Sequence, residues 1–173
     1  FVFRTPSQLG DTIVSFPAFK LIKAKHRFSE IILITYYPLK NISFDSWQIA
    51  KYIGVFNGIM YYNKSIFSIL FLALRIRFSR SKKLYYLGYA YSRSQIFRDY
   101  IFFRIFSGIK NIEGLKLAED HSIYKKGKDG KLTYEEKESV RLMNIINYKS
   151  TQQILDRPYL SPSSLNINKI KKY

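Results

Sequence analysis

The chain has 173 residues, 47 % of them apolar, and carries 29 Lys and Arg against 12 Asp and Glu for a formal charge of +17. That length suits one domain with a real core, and that apolar content excludes disorder over most of it. With no cysteine and only two histidines, His26 and His121, the chain excludes disulfides, thiol catalysis and Cys-ligated zinc, and a multi-histidine metal site is not expected. The longest continuous apolar run outside the polar breaks, Ile69 to Leu74, is far short of the roughly 20 residues a spanning helix needs. The chain opens at Phe1 inside a strand-like stretch, which predicts a fragment of a longer protein.

Val2 to Arg4 reads as the tail of a first strand. Thr5-Pro6-Ser7-Gln8 carries turn chemistry, with Pro6 pushing Thr5 out of the helical region. After a tight turn through Gly10, the segment from Asp11 has helical spacing, with Val14, Ala18, Leu21 and Ile22 on one face and Lys20, Lys23 and Lys25 elsewhere. Pro17 lies inside this span, so either it kinks the helix or the main helix starts there. Glu30 to Tyr37 is a continuous apolar, β-branched run closed by Pro38, the pattern of a strand covered on both faces in a parallel sheet. Ser43 to Ile53 predicts a second helix, with Trp47 and Ala50 buried and Gly54 ending it. Gly58 to Asn63 predicts a third strand.

Ser65 is placed to cap a helix over Ile66 to Phe78, apolar at its start and basic beyond, with Arg75, Arg77, Arg80, Lys82 and Lys83. Leu84 to Leu87 is a short strand ending at Gly88. Ser94 to Phe106 follows as an aromatic-rich helix closed by Gly108, and Ile109 to Ile112 is a last short strand. Glu119 to Lys131 is polar and predicts a loop. Lys125 to Glu136 imitates a calcium loop but has Lys125 and Gly127 where carboxylates are required. Thr133-Tyr134-Glu135-Glu136 makes a capping box, with a helix continuing from Glu135 to Ile146. Residues 1–149 are expected to form one domain, and 150–173, with Pro158, Pro162 and a Lys-rich end, a linker or disordered tail. Strands alternating with helices predict an α/β domain: a Rossmann-like parallel sheet flanked by helices.

Neither G-x-G-x-x-G after a strand nor G-x-x-x-x-G-K-[ST] is present. What remains is Gly10-Asp11, where a helix N-terminus after a buried strand offers unpaired amides to an anion. Arg93 and Arg98 follow the fourth strand, at the carboxyl edge where open α/β sheets bind ligands. The order Arg4, Thr5, Ser7, Gly10-Asp11, a short apolar stretch from Thr12 to Phe16, Pro17-Ala18, and Lys20 to Lys25 resembles glycosyltransferase family 9, the lipopolysaccharide heptosyltransferases. The likeness continues through Ile31 to Thr35 and, more diffusely, through Tyr85 to Glu113. Pro6 departs from the small polar residues of that family's turn.

The resemblance implies the N-terminal, acceptor-side half of a GT-B fold. It implies Asp11 as general base of an inverting transfer, with Thr5, Ser7 and Gly10 at the same mouth; Arg93 is expected as a further substrate contact from its place at the carboxyl edge of the sheet. It also implies a nucleotide-sugar donor such as ADP-heptose, a lipid-linked or anionic glycan acceptor, and no metal. The second, nucleotide-sugar half is not in the sequence, so this chain alone is expected not to turn over substrate. The charge calls for anionic company, whether phosphates, nucleic acid or an acidic membrane, although an AT-rich coding bias toward Lys, Ile, Asn, Tyr and Phe produces the same excess. The cluster from Arg75 to Lys83, beside Phe71, Leu72 and Phe78, suits equally an anionic membrane surface and a solvated helix end. A cytoplasmic protein, peripheral on the inner membrane and with no specific nucleic-acid partner, is expected. A basic nucleic-acid-binding module and an inactive truncated domain are the alternative readings.

Overall fold

Strands that are apolar on both sides are stable only between two layers, and the central sheet has that arrangement. In a computed structural model the described residues are 1–4, 9–37, 54–79, 81, 83–88, 92–116, 125–126, 132–134 and 138–146. The expected turn at Thr5 to Gln8, the helix over Ser43 to Ile53 and the tail over 150–173 lie outside them. The elements in chain order are β1 (Val2–Phe3), α1 (Leu9–Lys25), β2 (Ile32–Tyr36), β3 (Gly58–Tyr62) and α2 (Ile66–Phe78). They continue with β4 (Lys83–Tyr86), α3 (Arg93–Ile101) running into a π-turn (Phe102–Phe106), β5 (Asn111–Glu113), β6 (Lys125–Lys126), β7 (Leu132–Tyr134) and α4 (Glu138–Ile145).

Five strands form one sheet in the order β3-β2-β1-β4-β5, all parallel, with helices on both faces: an α/β, Rossmann-like fold. Val2 pairs with Leu33 on one side and Tyr85 on the other, and Phe3 with Ile34 and Tyr86. Because side chains alternate along a strand, these two rows face opposite layers. Val2, Leu33 and Tyr85 meet Phe16, Phe19 and Ile22 of α1 and Leu142 and Met143 of α4. Phe3, Ile34 and Tyr86 meet Leu72 and Ile76 of α2 and Phe103 of the π-turn.

α1 runs unbroken through Pro17, and it begins at Leu9, so Gly10 and Asp11 belong to its first turn and not to a turn before it. An interior proline costs about 3 kcal/mol. Burial of Phe16, Ala18, Phe19 and Ile22 on the sheet offsets that cost. Val14, expected on the buried face, is exposed, because that face centres on Ser15, Phe19 and Ile22 and leaves Val14 at its margin. Ser15 is buried too, and its hydroxyl donates to the Asp11 carbonyl at 2.6 Å.

Ser65 stands at the start of α2, but its side chain makes no capping bond. The turn is held instead by Asn63, whose Oδ1 accepts from the Ser65 amide at 2.8 Å, and by Ser68 Oγ, which accepts from the Asn63 amide. Ser92 caps α3 by accepting from the Gln95 amide. Gly108, after the π-turn, has φ of 72°, as a residue ending a helix does. The expected loop over Glu119 to Lys131 instead contains β6, which pairs antiparallel with β7. Thr133 is therefore a strand residue and not a helix cap; α4 is described over Glu138–Ile145, and residues 135–137, the expected start of the helix, lie outside the described residues. Asp129-Gly130 between these strands is a hairpin signal that a capping-box reading overlooks. Among the described residues, no helix is long and apolar enough to cross a membrane.

Candidate functional site

In an open parallel sheet, ligands bind beyond the carboxyl ends of the strands, where the strand order reverses direction. Here that place is between β1 and β4. Arg4 sits in it, immediately after β1 and almost wholly buried at 3 % exposure. Its amide extends the ladder to the Ile34 carbonyl, and its Nη1 donates to the Leu87 carbonyl at 2.6 Å, tying β1 to the end of β4.

A buried guanidinium must meet anions or acceptors on every side. Arg4 Nη2 lies 3.3 Å from Glu138 Oε1 and 3.9 Å from Asp11 Oδ1. Glu138 is held a second time, since Arg141, one turn on in α4, donates from Nε to Oε2 at 2.6 Å and from Nη2 to Oε1 at 2.8 Å. Glu138 thus has both oxygens engaged by guanidinium groups. Asp11 stands closer to solvent, with a third of its side chain exposed, and meets Arg4 only at the outer limit of an ion pair. Two carboxylates from different helices therefore share one arginine nitrogen at the mouth of the sheet.

Gly10, next to Asp11, is exposed, and among the described residues a Cβ built on it would meet no atom within 4 Å. Neither its packing nor its backbone angle requires glycine. Arg93 is the first residue of α3 and lies exposed at the same sheet edge, but on the face opposite α1. Arg98 pairs with its neighbour Asp99, so it is less free for a ligand than its place in the sequence suggests. Thr5 and Ser7 lie outside the described residues.

On that opposite face a second polar group lies under the edge. The Tyr86 hydroxyl donates to Asp99 Oδ2 at 2.8 Å, and Arg98 Nε donates to Oδ1 at 2.8 Å. Phe3 stacks on Tyr86 at 4.8 Å between ring centroids, and Tyr36 meets Tyr62 edge-on at 5.5 Å. Burial, reinforced by the charge of Asp99, pushes the Tyr86 and Tyr62 phenols well above their ordinary range, so both remain neutral. This group is structural: it locks α3 onto β4.

His26 is at the other end of α1, about 22 Å from Asp11 along a helix rising ~1.5 Å per residue. Its Nε2 pairs with the Tyr85 hydroxyl at 2.8 Å. It takes no part in the edge site. Among the described residues, no group of three or more His, Asp or Glu is placed to hold a metal ion.

Sequence reasoning placed Asp11, Gly10, Thr5 and Ser7 at one mouth. Gly10 and Asp11 share the first turn of α1, Thr5 and Ser7 lie outside the described residues, and Arg4, read only as the basic end of the first strand, proves to lie beside Asp11. That reasoning missed Glu138 and Arg141, because the pairing of Glu138 with Arg4 spans 134 residues and leaves no local pattern, and Arg141 joins the group only through Glu138. The spacing of Glu138 and Arg141 at i and i+3 was the one available signal, and by itself it marks only a helix-surface pair. Compared with known proteins, the chain matches no family model, no curated protein and no solved structure.

Proposed function

We propose that this domain is the acceptor-side half of an inverting glycosyltransferase of the GT-B type, with Asp11 as the general base. The observation that carries the reading is the Asp11 carboxylate, one-third exposed at the switch point of the sheet and steadied by the buried Arg4. An acceptor hydroxyl at this mouth gives its proton to Asp11 as its oxygen attacks the anomeric carbon. The bond to the nucleoside diphosphate breaks from the opposite side, and that group departs with the electron pair. Asp11 suits the role better than Glu138, whose oxygens are already held by Arg4 and Arg141. The donor is a nucleotide-sugar, held by a second domain across the cleft, and the acceptor is a lipid-linked or anionic glycan.

Gly10 supports the same assignment. Among the described residues no atom lies within 4 Å of a Cβ built on it, and a sugar ring or its phosphate can approach the backbone there. The test is Asp11→Asn in the complete protein. Transfer falls by about 10²–10⁴-fold, the usual worth of a general base, while the unfolding midpoint stays in place. Near wild-type transfer by that variant rejects the reading. Glu138→Gln is the companion: its main effect is on stability, because it leaves two arginines with a weaker partner.

A further inference from the structure

α2 is apolar around most of its circumference, and only one side of it is covered. Leu72, Ala73 and Ile76 pack on the sheet. At about 100° per residue, Phe67, Leu70, Phe71, Leu74 and Phe78 fall together on an arc of the opposite side. All five are exposed, Phe67 and Phe78 by 79 % and Phe71 by 63 %. A helix apolar on both sides is expected to be covered on both, and a continuous apolar strip on a protein surface marks a contact site.

The borders of the strip say what kind of surface covers it. Arg77 flanks it on one side and Arg75 on the other, both exposed. Arg75 lies 5.9 Å from the centroid of the Phe71 ring. Arg77 reaches the neighbouring π-turn, donating to the carbonyls of Ile105 and Phe106, which are themselves exposed. Arg104 adds a third exposed cation there, and neither α2 nor the π-turn contains a carboxylate. A second copy of the chain seated on this face would set these arginines against their own kind, with no acid on either element to offset them. An apolar strip bordered only by cations, on a chain of charge +17, matches an anionic bilayer instead.

We infer that α2 and the adjoining π-turn form a membrane-resting face, on which the Phe67–Phe71–Phe78 strip enters the headgroup boundary of an anionic leaflet and the arginines meet lipid phosphates. The face lies on the side of the sheet away from α1, so it leaves the Asp11 mouth uncovered. The inference does not depend on the transferase reading.

The experiment is flotation of the full chain with phosphatidylcholine vesicles, with and without about 30 % phosphatidylglycerol. The chain floats with the anionic vesicles and not with the neutral ones. The triple variant F67S/F71S/F78S keeps its far-ultraviolet circular dichroism and loses about tenfold in the bound fraction, while F67L/F71L/F78L, which retains apolar area, stays bound. The inference is overturned by undiminished flotation of the serine variant, which would leave charge alone as the cause. It is overturned equally by no flotation of the parent chain, by equal loss in the leucine variant, or by vesicle-independent self-association that the serine variant abolishes.

Discussion

Arg4 shows how a single side chain can define a site. Its position at the end of the central strand buries it, and burial obliges the fold to supply acceptors: the Leu87 carbonyl, Glu138 and, at the margin, Asp11. The consequence is a mouth whose charges are preset before any ligand arrives. Gly10 is the complementary case, a residue whose side chain would meet nothing among the described residues. Alanine is favoured over glycine in helices by up to about 1 kcal/mol, with less expected in a first turn. Gly10→Ala is therefore expected to raise stability by about 0.5 kcal/mol in urea unfolding and, in the complete protein, to weaken acceptor binding or transfer. A gain in stability with unchanged activity would show that the open space next to Asp11 has no ligand to admit.

At the scale of elements, the decisive contact is α4 on α1. The short α4 is held there by Leu142 and Met143, both fully buried with Phe16, Phe19 and Ile22. Lys25 adds a bond to the Ile146 carbonyl at 3.3 Å. An eight-residue helix is too short to persist on its own in water, so this burial is what keeps Glu138 beside Arg4. Leu142→Ala is expected to cost about 2–5 kcal/mol, as for other buried leucines. In the same variant the Arg4–Glu138 pair should loosen, visible as faster amide exchange along α4 than along α2. Exchange that rises equally in both helices would mean global destabilisation without a special link. On the other face the π-turn serves packing: its wide loop closes through Ser107, whose amide bonds the Phe102 carbonyl, and puts Phe103 under Phe3 at 5.2 Å.

The chain is strongly cationic, with the candidate site at one sheet edge and a cationic pair of side chains, Lys25 and Lys83, beside His26 at the other. Burial lowers the His26 pKa from its ordinary 6.5, and Lys83 and Lys25 lower it further. The unfolded chain therefore binds a proton more readily than the folded one. Above about pH 6.5 the imidazole is neutral in both states and contributes no pH dependence; as pH falls below that value, folding stability is lost. Urea midpoints measured at pH 5.5 and 7.5 should differ more for the parent chain than for His26→Gln. An equal difference in the two proteins would remove His26 as the source.

Much of this architecture was legible in the sequence because hydrophobic periodicity records the environment of one element at a time. The run from Ile31 to Ile34 is apolar on every residue, and that alone required a strand covered on both faces. Gly10-Asp11 after a strand likewise required a helix N-terminus at a sheet edge. Periodicity does not record which elements meet. That Glu138 would face Arg4, that β6 and β7 would replace a loop and a helix cap, and that the second apolar side of α2 would stay uncovered were decided only by tertiary packing. The physical reason is the same in each case: burial within an element is a local property of spacing, whereas an ion pair, a strand partner or an exposed face depends on residues brought together from distant parts of the chain.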